Sequence, residues 1–244
     1  MTETATNEHP IPFSGSMVRA VLEGRKTQMR RVIKPQPINF TGHKYIVPDH
    51  APKAWHDYDG PFTDFCPYGA PGDRLWVRET WRVGGLDVGG YRSPIRVAID
   101  YKASPEIDRT PWVQGATGEW LLRMRDQTLD DANQKGVDQW DHGESPARWR
   151  PSIHMPRWAS RITLVVKRVW VERVQEISPP DLVAEGVATI HDGCYWGVFH
   201  EGERRMQHRE AMHELWDSIN ASKGHGWNTN PWVWCVEFER IEVK

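Results

Sequence analysis

The alternation of apolar and polar residues predicts about six short strands. Residues 75–81 and 95–101 alternate as half-buried strands do, and we expect the two to pair as a hairpin. Residues 161–166 and 169–174 are β-branched runs separated by a Lys-Arg pair. Residues 232–243 are apolar on both faces in their first half, which is typical of a central strand. One further strand is expected in the basic stretch that follows the first helix.

Three short helices are also predicted. The first begins at Ser16 and ends at Gly24, because glycine readily takes the left-handed conformation that ends a helix. The second has Ser178 as its N-cap, prolines in its first turn and Gly186 after its last residue. The third covers residues 208–221, where apolar residues recur at the helical spacing i, i+3, i+4 and i+7.

Two long segments, residues 35–71 and 102–150, have no such periodicity, and we expect both to be irregular insertions. Residues 1–10 are polar and aperiodic, so they are predicted to form a disordered tail.

Strands and helices do not alternate regularly along the chain, so a doubly wound sheet is not expected. The predicted fold class is α+β, with a single domain over residues 11–244 built on a small mixed β-barrel. Three parts of the chain are expected to form that barrel: residues 11–34, 72–101 and 158–243.

Composition places the chain among globular proteins and excludes several classes. Hydrophobic residues make up 39% and charged residues 26%, and no apolar run approaches the length of a membrane span, so no membrane partner is expected. The first residues contain neither a basic nor an apolar signal region. Cys66, Cys194 and Cys235 are scattered, which favours a reducing cytoplasm over a disulfide scaffold.

The net charge of −2 excludes a globally basic protein, but two segments are locally basic. Residues 19–34 hold six Lys or Arg and one Glu, and residues 148–173 hold seven Lys or Arg and one Glu. Such segments attract phosphate, or they are solvated strand edges that charge protects from aggregation. If they bind nucleic acid, reversing the charge of Arg30 and Arg31 should weaken binding most at low salt. Most of the 14 Trp are expected in packing, although indole faces also stack on bases.

Motifs for metals and cofactors are absent from the sequence. It contains no GxGxxG, Walker A, GxSxG or HExxH pattern. His208 and His213 are five residues apart, which is wrong for two ligands on one helical face, and His191 with Cys194 lacks a second pair. We therefore predict no metal and no cofactor.

Two carboxylates are candidates for acid/base chemistry. Glu79 lies in the middle of the predicted strand, between Trp76 and Trp81, and Glu185 ends a predicted helix. A carboxylate beside a lysine can exchange a proton with it, and each group tunes the pKa of the other. Either glutamate is equally explained as the partner of a structural ion pair.

Several segments resemble the ASCH domain, a family of PUA-like β-barrels. The resemblance is found in three segments: Gly-Arg-Lys-Thr at 24–27 after a short helix, Gly-Asp-Arg-Leu-Trp-Val-Arg-Glu at 72–79, and Ala-Glu-Gly at 184–186. Longer stretches resemble the ASCH-like proteins common in tailed phages and prophages: KTQMRRVIKPQP, CPYGAPGDRLWVRETW, RPSIHMPRWASRI and NPWVWCVEF. The likeness extends over nearly the whole chain.

The resemblance implies a site for a nucleobase, a modified nucleoside or RNA. Some small ASCH proteins remove acyl groups from the N4 amine of cytidine, and another is described as a ribonuclease. Their catalytic lysine falls on Lys26, and their carboxylate falls on Glu185, with Val187 in the other alignment and Glu79 as an alternative. Their threonine position holds Met29, while Thr27 is adjacent.

Restoring that hydroxyl by Met29→Thr is therefore expected to raise hydrolysis of an acylcytidine.

Seven residues are predicted to bind substrate: Arg25, Arg30, Arg31, Trp76, Trp81, Arg157 and Trp158. Two alternatives stay open, namely a reader of RNA or modified bases without catalysis and a phage morphogenesis or interaction protein.

Overall fold

The computed structural model describes most of the chain, in nine ranges: residues 6–41, 44–56, 60–87, 96–103, 119–140, 144–186, 190–191, 194–195 and 201–241. Within them lie eleven strands: β1 (Glu8–Pro12), β2 (Gln28–Val32), β3 (Asn39–Thr41), β4 (Lys44–Ile46), β5 (Arg74–Arg78), β6 (Trp81–Asp87), β7 (Arg96–Tyr101), β8 (Thr163–Arg173), β9 (Ile190–His191), β10 (Cys194–Tyr195) and β11 (Trp232–Ile241). The same ranges contain five α-helices: α1 (Gly15–Leu22), α2 (Lys53–His56), α3 (Glu119–Lys135), α4 (Pro179–Ala184) and α5 (Glu201–Asn220).

The main sheet is mixed and five-stranded, with the order β1-β5-β8-β11-β2. Three further antiparallel pairs are β3–β4, β6–β7 and β9–β10. The predicted α+β class is therefore confirmed, although no closed barrel is formed by the strands of the described ranges.

The chain divides into two compact units. The first unit contains Met1–His9, Ala20–Leu75 and Thr163–Lys244, and the second contains Pro10–Arg19 and Trp76–Ile162. Both units are discontinuous in sequence, and β1 and β5 contribute residues to each of them. The predicted single domain over residues 11–244 stays a prediction.

In the first unit, β11 lies between β2 and β8 and pairs antiparallel with both. Cys235 lies opposite Arg30 on one side and opposite Trp170 on the other. Since directly opposed residues share a face of the sheet, this register places Arg30, Cys235 and Trp170 on one face. A hydrophobic cluster that includes Leu182 of α4 and Trp216 of α5 packs on the same face.

The opposite face of these strands is aromatic. Phe62 stacks on Trp234, with ring centroids 5.0 Å apart and an interplanar angle of 12°. Phe62 is only 1% exposed and also contacts Tyr45, Trp55 and Phe65. The first predicted insertion, residues 35–71, therefore packs against the sheet through Phe62. It was expected to be irregular, but it contains β3, β4 and α2.

In the second unit, β6 and β7 form a hairpin, with Trp81 opposite Tyr101. The predicted hairpin joined residues 75–81 to 95–101, but β5 ends at Arg78 and the partner of β7 is the following strand, β6. Helix α3 lies inside the second predicted insertion, which was expected to be irregular. Among the described side chains of α3, the buried ones are Met124, Thr128 and Ala132, which form a single row at a spacing of four residues. Such a narrow buried face, with a threonine in it, explains why the sequence shows no amphipathic helical pattern here.

Several other boundaries differ from the predicted ones. Strand β8 is continuous through Lys167 and Arg168, where a break was predicted, and both side chains are exposed. The extra residue of a β-bulge lies here in β8, because Arg168 is opposite Glu237 and Val166 is opposite Phe238, which leaves Lys167 without a register partner on β11. Strand β1 begins at Glu8, inside the predicted tail, while residues 1–5 lie outside the described ranges. Among the described residues, no helix is long and apolar enough to cross a membrane.

The packing of Phe62 predicts a large effect of its removal. Phe62→Ala should lower the free energy of unfolding by about 3–5 kcal/mol, because it deletes a fully buried ring. Phe65→Ala removes a ring that is only half-buried, so it should cost less. Urea denaturation of the two variants measures the difference, and equal stabilities would contradict the placement of Phe62 in the core.

Candidate functional site

The site begins where two short segments of the first unit meet. The loop at 24–27 follows α1, and the turn at 184–186 ends α4. Lys26 and Glu185 form an isolated antiparallel bridge, and the amide of Thr27 donates to the carbonyl of Ala184 at 2.8 Å. Arg25 Nη1 donates to the carbonyl of Gly186 at 3.2 Å. Two segments that both carry the resemblance are thus brought together although about 160 residues separate them.

A glycine makes this close approach sterically feasible. Gly186 has a φ of +75°, and a Cβ atom there would lie 2.9 Å from Lys26 Cβ and 3.1 Å from Ala20 Cβ. Any larger residue would have to adopt a left-handed backbone and also push the lysine loop away. Gly186 therefore sets the spacing between α4 and the loop that carries Lys26.

Lys26 is buried and bonded to Glu185 in two ways. Its ammonium lies 2.7 Å from Glu185 Oε2 and donates to the backbone carbonyl of Glu185 at 2.9 Å. The two side chains are 2% and 7% exposed, so water screens their charges little. Burial lowers the pKa of Lys26 below its ordinary value, although the carboxylate of Glu185 acts in the opposite direction.

Arg30 joins this pair to two further carboxylates. Its Nη1 lies 3.1 Å from Glu185 Oε1, and its Nη2 lies 2.7 Å from Glu172 Oε1 and 3.4 Å from Asp181 Oδ2. The Arg30 side chain is 0% exposed. Burial alone would lower the pKa of its guanidinium, but the acidic groups around it, Cys235, Glu185 and Glu172, raise that pKa.

Polar neighbours hold the carboxylates of Glu172 and Asp181 in place. Trp170 Nε1 donates to Glu172 Oε2 at 2.9 Å, and Ser178 Oγ donates to Asp181 Oδ2 at 2.6 Å. Burial opposes the ionised form of Asp181, but hydrogen bonds from Ser178 and Gln28 and the charge of Arg30 lower its pKa. Burial also raises the pKa of the Cys235 thiol well above its ordinary value. Cys235 is therefore a neutral thiol at physiological pH.

The ionic cluster therefore contains two cations and three carboxylates: Lys26, Arg30, Glu172, Asp181 and Glu185. With every group ionised it carries one excess negative charge. A neutral amine and a neutral carboxyl differ from the ion pair by the transfer of one proton along a hydrogen bond whose N–O distance is 2.7 Å, so the Lys26–Glu185 pair can pass a proton between its members.

The strand pattern decides which side chains can approach the cluster. Lys26, Gln28 and Arg30 alternate with Thr27 and Met29, so the two sets lie on opposite faces. Met29 is opposite Val236, which shares the aromatic face with Trp234. Met29 is 2% exposed, whereas Thr27 is exposed to solvent. Neither position 27 nor position 29 places a hydroxyl beside the Lys26 amine.

Glu79, the alternative carboxylate, has a different partner. Arg161 binds it in a bidentate pair, with Nε–Oε1 and Nη2–Oε2 distances of 2.9 and 3.0 Å. The guanidinium of Arg161 lies 4.0 Å from the ring centroid of Tyr101, and the Glu79 side chain is 2% exposed. This geometry is that of a structural ion pair in the second unit.

The predicted substrate-binding residues lie in several places. In the first unit, Arg30 is inside the ionic cluster, Arg25 also pairs with Glu23, and Arg31 is half-buried on the aromatic face. In the second unit, Trp81 is 1% exposed, and Trp158 packs against the same hydrophobic cluster.

Trp76 and Arg157 of the second unit are half-buried, with the Arg157 guanidinium 6.0 Å from the Trp76 centroid. Val187, the alternative carboxylate position, lies outside the described residues.

Sequence reasoning missed Glu172, Asp181 and Arg161. Glu172 is the only acidic residue in the basic segment 148–173, a contrast that could have marked it as an internal partner. Asp181 lies in the first turn of α4, where an acidic residue is common, but its side chain also faces Arg30. Nothing in the sequence marks Arg161 as the partner of Glu79.

Within the described part of the chain, no group of three or more His, Cys, Asp or Glu side chains has an arrangement suited to a metal ion. No protein-family model matches the chain, and neither a curated protein nor a solved structure matches it.

The contact at Gly186 predicts a position-specific cost. Gly186→Ala should lower the free energy of unfolding by about 1–3 kcal/mol more than Gly224→Ala does. Both glycines have positive φ, but a Cβ atom at Gly224 meets nothing within 4 Å, so the control isolates the clash with Lys26. Chemical denaturation gives both values, and an equal loss would show that the lysine loop moves aside without cost.

The burial of Arg30 predicts that reversing its charge disrupts the first unit. Arg30→Glu would add a fourth carboxylate to the ionic cluster and should cost about 3–5 kcal/mol or prevent folding. Arg240→Glu is the matched control, because Arg240 is exposed and should change stability by about 0.5 kcal/mol or less. Thermal denaturation followed by circular dichroism compares the two. Two equally stable variants would contradict the burial of Arg30 among the carboxylates.

Proposed function

We propose that this chain recognises a nucleic acid or a modified nucleoside through an ASCH-like, PUA-type fold, with Lys26 and Glu185 at its functional centre. The observation that carries the proposal is the meeting of residues 24–27 with residues 184–186 around a buried 2.7 Å ion pair. These are two of the segments through which the sequence resembles that family. If the likeness to that family were only a coincidence of short motifs, there would be no reason to expect that segments far apart in the chain meet at one site.

The chemistry of the pair suits a nucleobase. The Watson–Crick edge of a base presents hydrogen-bond donors and acceptors side by side, and an ammonium next to a carboxylate offers the complementary groups. Arg30 binds Glu185 Oε1, so it fixes the orientation of the carboxylate while Lys26 occupies Oε2. Arg30 is in this proposal a positioning residue, because its side chain is fully buried and its guanidinium faces carboxylates.

Amide hydrolysis on an N4-acylcytidine is the second candidate function, and the lowered pKa of Lys26 favours it. In such a reaction, water adds to the acyl carbonyl carbon and the bond from that carbon to N4 breaks. The water gives one proton to the Lys26–Glu185 pair, and the pair returns a proton to the departing N4 amine. The products are a carboxylic acid and cytidine, so atoms and charge balance.

Recognition without catalysis is favoured over hydrolysis by the positions of the hydroxyl-bearing residues. Active relatives implied by the resemblance use a threonine where this chain has Met29. Met29 lies on the face of β2 opposite the Lys26 amine, and Thr27 also points away from it. The expected benefit of Met29→Thr therefore does not follow from this geometry.

The recognition proposal is tested by measuring affinity for N4-acetylcytidine and for short single-stranded RNA. Lys26→Met and Glu185→Gln should each weaken binding at least tenfold, because each removes one half of the pair. Lys167→Met is the control, since Lys167 is an exposed lysine paired with Glu239. Circular dichroism shows whether each variant is folded. Unchanged affinity in folded Lys26→Met and Glu185→Gln would refute the proposal.

Turnover separates the two candidates. If the parent binds N4-acetylcytidine without releasing acetate, and Met29→Thr is equally inactive, the chain is a reader. If the parent releases acetate and Lys26→Met does not, the chain is a hydrolase. A rise in activity on Met29→Thr would mean that position 29 reaches the Lys26 amine, contrary to the faces assigned to β2.

A further inference from the structure

A basic surface lies in the second unit, on the outward face of β5. Leu75 and Val77 are buried at 0% and 1% exposure, and Trp76 and Arg78 alternate with them as half-buried side chains. Strand alternation therefore turns the indole and this guanidinium away from the core. Trp76 is half-buried, so part of its side chain is accessible to solvent.

Two arginines flank that indole. The guanidinium carbon of Arg78 lies 5.5 Å from the Trp76 ring centroid, and that of Arg157 lies 6.0 Å from it. Arg78 is also held by a hydrogen bond from Nε to the carbonyl of Ser152 at 3.1 Å. Cation–π contacts and this backbone bond orient the Arg78 guanidinium without neutralising it.

The charge of Arg78 is not balanced by an acid. Among the described residues no carboxylate lies within 4.0 Å of its guanidinium, in contrast to Arg161, which is neutralised by Glu79. The chain that supplies Arg157, residues 145–162, contains four Arg and one His and no Asp or Glu. His154 and Arg148 of this segment are exposed. Arg78 therefore carries a positive charge beside Trp76, and the segment that supplies Arg157 contributes no acidic side chain of its own.

We infer that Trp76, Arg78 and Arg157 form a binding site for single-stranded nucleic acid, in which the arginines bind backbone phosphates and the indole stacks on an unpaired base. Arginine forks match phosphate oxygens, and base–aromatic stacking tolerates every base. A duplex hides its base faces, so the indole selects a single strand over a double strand. The inference rests on the proposed function for the class of ligand, but it concerns residues other than Lys26 and Glu185.

The test is fluorescence anisotropy with a labelled 12-nucleotide RNA, single-stranded or annealed to its complement, over a series of salt concentrations. The parent should bind the single strand more tightly than the duplex. Trp76→Ala should weaken single-strand binding by about 5- to 100-fold. Trp76→Phe keeps an aromatic face and should lose less, which separates lost stacking from misfolding.

The arginines are tested by the double variant Arg78→Gln/Arg157→Gln. Its plot of log affinity against log salt should be shallower by about 1.4, the value for two phosphate contacts on a single strand. Lys167→Gln/Arg168→Gln is the matched control, because it also removes two cations, both exposed and both in the first unit. A control that changes the slope equally would show a general charge effect and would overturn the site.

The outcomes distinguish this inference from the proposed function. If Lys26→Met abolishes binding and the Trp76 and Arg78/Arg157 variants match the parent, the inference is wrong and the proposed function stands. If only the latter variants weaken RNA binding, the inference stands and the role of Lys26 is wrong. A parent that binds no single-stranded nucleic acid overturns the inference, and binding of N4-acetylcytidine is then the remaining support for the proposed function.

Discussion

Burial of the Arg30 guanidinium is the constraint around which the first unit is organised. A guanidinium with 0% exposure must be matched by carboxylates, since an unpaired buried charge costs several kcal/mol. The partners come from three places: Glu172 on β8, Asp181 in α4 and Glu185 at the end of α4. Strand pairing and the docking of α4 must therefore be correct together for the cluster to form.

The same constraint gives the two faces of the sheet different characters. The face that carries Arg30 combines an ionic cluster with apolar side chains from α4 and α5, whereas the face that carries Met29 and Trp234 is apolar and aromatic. A side chain on one face cannot take part in chemistry on the other without a change of strand register. This separation keeps the side chains of Thr27 and Met29 away from the Lys26 amine.

The two basic segments of the sequence, residues 19–34 and 148–173, differ in how far their charges are buried and paired in the structure. In the first, Lys26 and Arg30 are turned inward and neutralised, so the charge of that segment is not a measure of its surface potential. In the second, Arg161 is internal, but Arg157 lies beside a half-buried Trp76 together with Arg78 of β5. A run of basic residues thus predicts nucleic-acid binding only after the buried cations have been subtracted.

The sequence by itself determined the α+β class, the first helix, the caps of α4 and the strand nature of β8 and β11, because periodicity, capping residues and β-branching act over a few neighbouring residues. It also marked Lys26 and Glu185 as candidates, but it left Glu79 equally open. Only the tertiary structure decided that Lys26 pairs with Glu185 and that Arg161 takes Glu79. Partner choice depends on distances between residues far apart in the chain, and local patterns carry no information about those distances. Helix α3 and the stacking of Phe62 on Trp234 were not predictable for the same reason, since packing against distant segments stabilises them more than local periodicity does.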